Sequence, residues 1–161
     1  GLDAAAQGPQ RTVVVPTLYG GEYGPDLGFV AEHTGLSEVE VVATHAGVDY
    51  PVYMMGFTPG FPYLGGMSET IAAPRLSTPR PSIPADAVGI AESQTGIYPT
   101  ASPGGWRIIG RTPLDLFRAD REPPALLAAG DSVHFAPLAS EAEFTDINAR
   151  VERGEFELET R

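Results

Sequence analysis

Nineteen glycines and sixteen prolines punctuate this 161-residue chain without any period, and that punctuation constrains the fold more than any other feature. Proline fixes φ and removes a backbone donor, and glycine is costly inside helices, so long helices are excluded. The missing period excludes a collagen-like rod. What remains is a turn-rich domain of short strands, with 42% hydrophobic residues to fill a core.

Along the chain, residues 1–11 read as a disordered lead-in and residues 12–161 as one domain. The β-branched run Thr12 to Val15 predicts a strand ended by Pro16. Tyr19-Gly-Gly-Glu-Tyr-Gly reads as a loop. Pro25 and Asp26 then open a short helix with Leu27, Val30 and Ala31 apolar and Gly35 as its C-cap. Ser37 to Glu40 spells a capping box for a second helix through Thr44, and Ser140 to Glu143 repeats that spelling for a helix ending at Gly154. Strands are predicted over Asp49 to Phe57, Ala87 to Ala91, Gly96 to Tyr98, Trp106 to Gly110, Asp115 to Arg118 and Ser132 to Phe135, the last after a tight turn at Gly130-Asp131. A last acidic strand is expected over Glu155 to Glu159. Many short strands, two or three short helices and no internal repeat predict a mainly β (α+β) barrel, not βαβ winding.

Composition removes whole classes of chemistry. There is no cysteine, hence no disulfide, thiol nucleophile or cysteine metal site. All ten basic residues are arginine, so this chain supplies no P-loop lysine, Schiff base or biotinyl-lysine. The net charge of −11 argues against nucleic acid and anionic membrane surfaces as partners. No apolar run approaches the ~20 residues that span a bilayer, and GLDAAAQGPQ has no basic-then-apolar signal pattern. The expectation is a soluble, cytoplasmic protein.

The charge is uneven. Residues 75–121 carry six arginines and four acids, whereas the flanking segments are strongly acidic. Two readings of this arginine island stay open: pairing with acids elsewhere on the surface, or a site for a carboxylate, phosphate or carbonyl oxygen, which guanidinium forks suit.

Two segments are dense enough in special residues to carry chemistry. In Gly56 to Gly66, Pro59-Gly60 suits a type II turn flanked by Phe57, Phe61 and Tyr63, either a rigid hairpin filling a barrel end or a pocket wall. In Gln94 to Trp106, Gln94, Thr95, Tyr98 and Ser102 offer neutral donors and acceptors, and Gly104-Gly105 is a candidate anion nest. Arg75 and Arg80 precede this cluster and Arg111 follows it. Trp106 reads as core. His33, His45 and His134 show no ligand spacing, so no metal site is expected; His45 falls at a helix end, where an imidazolium favours the dipole. No Gly-x-Ser-x-Gly elbow occurs.

TLYGGEYGPDL, GFTPGFPYLGG, PRLSTPRPSIPA, VGIAESQTGIYPTASPGGWRIIGRTPLDLF and GDSVHFAPL, in that order, resemble the KipI/allophanate hydrolase subunit 1 family, whose members include the B-type subunit of 5-oxoprolinase. The resemblance covers roughly residues 13–157. It implies a cyclophilin-like closed β-barrel and a partner, a second cyclophilin-like subunit of the allophanate hydrolase subunit 2 type or the C type of 5-oxoprolinase. It also implies that full-length members carry an N-terminal α/β domain before TLYGGEYGPDL, so this chain reads as a fragment or trimmed form. Where family members commonly have glycine, this chain has Asp86, and often likewise Glu92. Prolyl isomerase activity is not expected. Alignment on Pro59-Gly60-Phe61 puts Gly56 where an isomerase has its catalytic arginine and Leu64 where it has its glutamine.

The function the resemblance implies first is a subunit of a heteromeric ATP-dependent amide or lactam hydrolase. It has no permanently bound cofactor and uses ATP, with magnesium, as co-substrate of the complex. On that reading Arg80, Gln94 and Tyr98 are the catalytic candidates, and Phe57, Phe61, Tyr63, Arg75, Thr95, Ser102, Gly104, Gly105 and Arg111 line the substrate site. The alternatives are a KipI-like inhibitor of a sensor histidine kinase and the carboxyltransferase half of a urea carboxylase-type enzyme.

Overall fold

A computed structural model describes residues 11–55 and 61–161. Among them, seven strands close into a barrel in the order β1-β8-β5-β6-β3-β2-β9, and two more form a separate ribbon, β4-β7. The barrel strands are β1 (Thr12–Tyr19), β2 (Asp49–Met55), β3 (Phe61–Leu64), β5 (Ala87–Ala91), β6 (Gln94–Ile97), β8 (Arg107–Arg111) and β9 (Ser132–Pro137). The ribbon is β4 (Arg80–Ile83) with β7 (Ser102–Gly104). Three helices accompany them: α1 (Leu27–Thr34), α2 (Glu38–Ala46) and α3 (Glu141–Glu152). The mainly β closed barrel with short helices is therefore the observed architecture. Only β1 and β9 run parallel, in register from Thr12↔Ser132 to Thr17↔Pro137; closure leaves no barrel edge unpaired.

Alternation divides the barrel strands into an inside and an outside. Val13, Val15, Val52, Leu64, Val88, Ile90, Ile97, Ile109, Val133 and Phe135 fill the interior, together with Leu27, Val30 and Val41 of the two N-terminal helices. Each fully buried aliphatic side chain contributes about 1.5–3 kcal/mol relative to exposure. A second cluster, Phe61, Ile83, Ala87, Ala91, Tyr98, Trp106 and Ile108, lies apart from this core and includes Ile83 of the ribbon. Trp106 packs there where there is no Cβ to meet it: one at Gly96 would stand 3.2 Å from its Cζ3, and one at Gly89 3.2 Å from its Cβ.

The helix signals act where the sequence places them. Ser37 and Glu40 form the reciprocal capping box, and Gly35 ends α1 in the left-handed region at φ 76°. Ser140 also caps its helix, but Glu143 accepts from the Ala139 N–H, so the second box is shifted by one residue.

Several boundaries need correction. Pro16 does not end β1, which continues to Tyr19. The Thr12 and Val14 N–H groups bond to the Arg161 and Glu159 carbonyls, and Pro16 is the next position on that side. That pairing stops at Val14, so the missing donor is not needed there. Asp115 to Arg118 is not a strand; only an isolated bridge joins Phe117 to Ala125. Glu155 to Glu159 is not a strand either, and the next residue, Thr160, meets β1 at the single bridge Val13↔Thr160. Arg11, expected in the lead-in, is anchored by hydrogen bonds to both carboxylate oxygens of Asp131, at 3.2 and 3.1 Å. The rest of the lead-in, Phe57 and the Pro59-Gly60 turn lie outside the described residues.

Candidate functional site

The loop between β1 and α1 is laid directly on β8. Gly20 donates to the Ile109 carbonyl and Asp26 to the Ile108 carbonyl. Gly24 sits so close to this strand that any Cβ would overlap the Ile109 carbonyl, which explains glycine there. The docking holds Asp26 at the start of α1, but its side chain does not cap the helix. It accepts from both Arg80 Nη atoms, at 2.7 and 2.9 Å, and from the Ile108 N–H at 2.8 Å. Burial alone would push the Asp26 carboxyl up; the Arg80 and Ile108 hydrogen bonds and the charges of Arg80 and Arg107 outweigh it and hold it below the usual range.

Beside this pair lies a cleft of about 290 Å³ lined by Glu22, Tyr23, Pro25, Arg80, Pro84, Ile108 and Arg111. Arg111 donates through Nε to the Ala85 carbonyl at 3.2 Å. Its terminal nitrogens have no acceptor among the described residues. The Tyr23 hydroxyl donates to Glu141 at 2.6 Å, and that hydrogen bond, with burial and the charges of Glu141 and Glu22, pushes the phenol up. A larger cavity of about 390 Å³ also has two arginines on its rim, Arg118 and Arg121. Both are committed, Arg118 to Asp115 and Asp120, Arg121 to the Asp115 and Pro124 carbonyls. The cleft at Arg111 thus offers a guanidinium whose terminal nitrogens have no acceptor among the described residues. Its lining contains no serine, threonine or cysteine, its one hydroxyl being that of Tyr23, and no cluster of three His, Asp or Glu able to hold a metal occurs among the described residues.

The residues expected in one site separate into several places. Arg80 and Arg111 share the cleft. Phe61, Tyr63 and Tyr98 join Trp106 in the outer aromatic cluster, with ring centroids 4.8 Å apart for Phe61–Tyr63 and 5.2 Å for Phe61–Tyr98. Arg75 stands over the Trp106 ring at 5.9 Å. Ser102 and Gly104 belong to the β4-β7 ribbon, paired with Ile83 and Arg80. Gly104 and Gly105 do not form an anion nest: neither has positive φ, and the Gly105 carbonyl accepts from Leu76. Gln94 is exposed at the start of β6. Thr95 is fully buried inside the barrel, away from the cleft.

Inside, Thr95 belongs to a neutral chain of hydrogen bonds. Its hydroxyl donates to the Gly89 carbonyl at 2.8 Å, so it accepts from His45 Nε2 at 2.9 Å. His45 Nδ1 must then accept from the Tyr19 hydroxyl, at 2.7 Å. Burial drives the His45 imidazole down to about 3, which keeps it neutral and corrects the expectation of a cationic helix cap.

Sequence reasoning missed Asp26 as a site residue. Its signal was present, an acid in TLYGGEYGPDL as partner for the arginine island, but its helix-opening position masked the role. Asp86 and Glu92 adopt φ of 69° and 53°, the left-handed region, which accounts for the glycine expected at both positions. Asp86 bridges Tyr98, Thr112 and Leu116 through its N–H, carbonyl and carboxylate. Burial pushes its carboxyl up to about 7, against the Leu116 N–H.

Known proteins share this chain's sequence and fold over most of its length. The family model described as carboxyltransferase domain, subdomain C and D, matches residues 2–127. A protein of Bacillus subtilis (strain 168), named as the B subunit of 5-oxoprolinase, is 58% identical over 130 residues, covering 81% of this chain and 54% of its own length. The protein of the same name from Escherichia coli O157:H7 is 51% identical over 133 residues, 83% of this chain and 61% of its own length. The chain thus spans somewhat more than half of these curated relatives. Among solved structures, a conserved uncharacterized protein of Pyrococcus horikoshii superposes with TM-score 0.79 at 53% identity, over 83% of this chain and 61% of that one. The Kluyveromyces lactis urea carboxylase superposes with TM-score 0.78 at 20% identity, over 94% of this chain and 16% of that one, a likeness of fold alone.

Proposed function

The chain belongs to the family of carboxyltransferase domains, subdomain C and D, and on that premise we propose that it acts as the B-type part of a heteromeric, ATP-dependent 5-oxoprolinase. The observation that carries this reading is identity of 51–58% to proteins named as the B subunit of 5-oxoprolinase in two distant bacteria. The cleft agrees with a shared site, because it offers one open guanidinium and polar walls without a serine, threonine or cysteine nucleophile. A second cyclophilin-like subunit, of the C type, would complete it.

Lactam opening needs the amide carbon activated. Transfer of the ATP γ-phosphoryl group to the lactam oxygen releases ADP and leaves an electrophilic imidate carbon. Water attacks that carbon and the ring C–N bond breaks, the nitrogen taking a proton, to leave a γ-glutamyl phosphate; a second water hydrolyses this acyl phosphate, releasing phosphate and glutamate. The chain's residues would act by orientation and charge: Arg111 by a guanidinium fork, Arg80 as a wall held by Asp26. Lacking lysine, this chain leaves lysine contacts to the nucleotide to its partners.

Reconstitution tests the reading. Glutamate release is expected only with ATP, 5-oxoproline and all subunits together, and none from this chain alone. An equal rate with this chain omitted would overturn it. The family description favours one other reading, a carboxyltransferase half. Carboxyl transfer from a biotinylated carrier domain, with no glutamate release, would select it.

A further inference from the structure

We propose that the cleft beside Arg80 takes one carboxylate, that of a small N–H-bearing organic acid, on the Arg111 fork, and that it turns polyphosphates away. The identification of that acid as 5-oxoproline rests on the function proposed above; the charge argument does not.

A ligand entering the cleft meets little free positive charge. Both terminal nitrogens of Arg80 are bound by Asp26, so the pair presents a neutral wall. Arg111 is tethered at Nε by the Ala85 carbonyl, which fixes the guanidinium plane and leaves its end open for a bidentate contact. Across the cleft, Glu22 is exposed and has neither hydrogen-bond nor ion-pair partner among the described residues. The Tyr23 hydroxyl, directed to Glu141, brings a second carboxylate to the rim. One available cation therefore faces two acids, in a chain of net charge −11. A single carboxylate matches that fork. A group with three or four negative charges finds one cation to bind, and meets repulsion from Glu22 and from the Glu141 carboxylate held by Tyr23.

Size and polarity agree. A volume of about 290 Å³ lies at the low end for ligand pockets, which run from roughly 300 to 1,000 Å³. Pro25, Pro84 and Ile108 supply short apolar walls for a ring or a few methylenes. Glu22 is an acceptor for an N–H on the same ligand, so the cleft distinguishes two polar ends.

The test is an NMR titration of the 161-residue chain with three probes: 5-oxoproline, 2-pyrrolidinone (the same ring without its carboxylate) and pyrophosphate. Saturable shifts at the Arg111 Nε–H and the Tyr23 and Ile108 amides are expected with 5-oxoproline, and at least tenfold weaker binding of the other two. Arg111→Gln should weaken 5-oxoproline at least tenfold. Arg111→Lys, which keeps the charge and loses the fork, should weaken it several-fold, and Glu22→Gln should improve pyrophosphate binding. Equal affinity for 2-pyrrolidinone, tighter binding of pyrophosphate, or unchanged binding by both Arg111 variants would overturn the assignment. So would a reconstituted Arg111→Lys complex that releases glutamate with unchanged KM for 5-oxoproline, and that result would leave the proposed function standing. Arg111-dependent binding of 5-oxoproline by a chain whose complex releases no glutamate would support the cleft and sink the function.

Discussion

The barrel interior and the outer cleft handle polar groups in opposite ways. Inside, Tyr19, His45 and Thr95 donate in series to the Gly89 carbonyl, and every member is neutral. At the cleft, Asp26 and Arg80 are charged and paired, and Arg111 keeps a fork with no acceptor among the described residues. The difference follows from solvent. A charge sealed in the barrel would lose its hydration without recovery, so burial selects the neutral imidazole. At the half-exposed cleft, water and a counter-charge make ionisation tolerable, and one cation is left for a ligand. Polarity inside serves stability; polarity outside, on the assignment proposed above, serves recognition.

Four substitutions would sharpen or break that contrast. His45→Ala has the largest expected effect, a loss of about 3–5 kcal/mol in urea unfolding, because it opens a cavity and strands the Tyr19 hydroxyl. A loss below about 1 kcal/mol would mean the interior chain is not structural. Asp26→Ala should cost about 2–3 kcal/mol, since it removes the acceptor for Ile108 and leaves Arg80 unpaired. The Asp26 carboxyl is depressed on folding, so its contribution is present above the ordinary carboxylate range and is lost as pH falls through its folded value. The acid limb of the unfolding curve should therefore flatten in that variant.

Asp86→Asn should stabilise. Asp86 is raised from 3.8 to about 7, so its contribution is full below pH 4 and is lost as pH rises through 7. The amide keeps an acceptor for the Leu116 N–H and tolerates positive φ. Thermal unfolding should show a gain of about 1–2 kcal/mol at pH 8 that shrinks toward pH 4. A gain independent of pH would point to backbone strain in place of charge. Arg75→Ala is the smallest, about 0.5 kcal/mol, for one exposed contact over Trp106. A loss above about 2 kcal/mol would show that the outer aromatic cluster depends on that cation.

Much of the fold was legible because its signals are local. The Ser37 box, the Gly35 cap and the strand at Ala87 to Ala91 each fall within one turn or one strand, and each is where the sequence places it. The Asp115 strand failed because its Leu116, with Leu114 just before it, joins the barrel core from a loop whose backbone is held by Asp86 and Arg121. The site was half legible. Arg80 and Arg111 were named, but of the neighbours assigned to them Thr95 faces the barrel interior, and Phe61, Tyr63 and Tyr98 join the outer aromatic cluster.

The sequence by itself determined the barrel class, the caps, the absence of thiol and lysine chemistry and the family. All but the family follow from residue types and short-range spacing, which need no knowledge of what packs against what; the family rests on the resemblance of whole motifs to those of known members. Only the tertiary structure decided which arginine is free. Asp26 and Arg80 lie 54 positions apart, and their pairing depends on the first loop lying flat on β8. Only the folded barrel decided which polar side chains face inward. Strand alternation shows that Thr95 and Gly96 face opposite ways, but which of them faces the core is settled by closure.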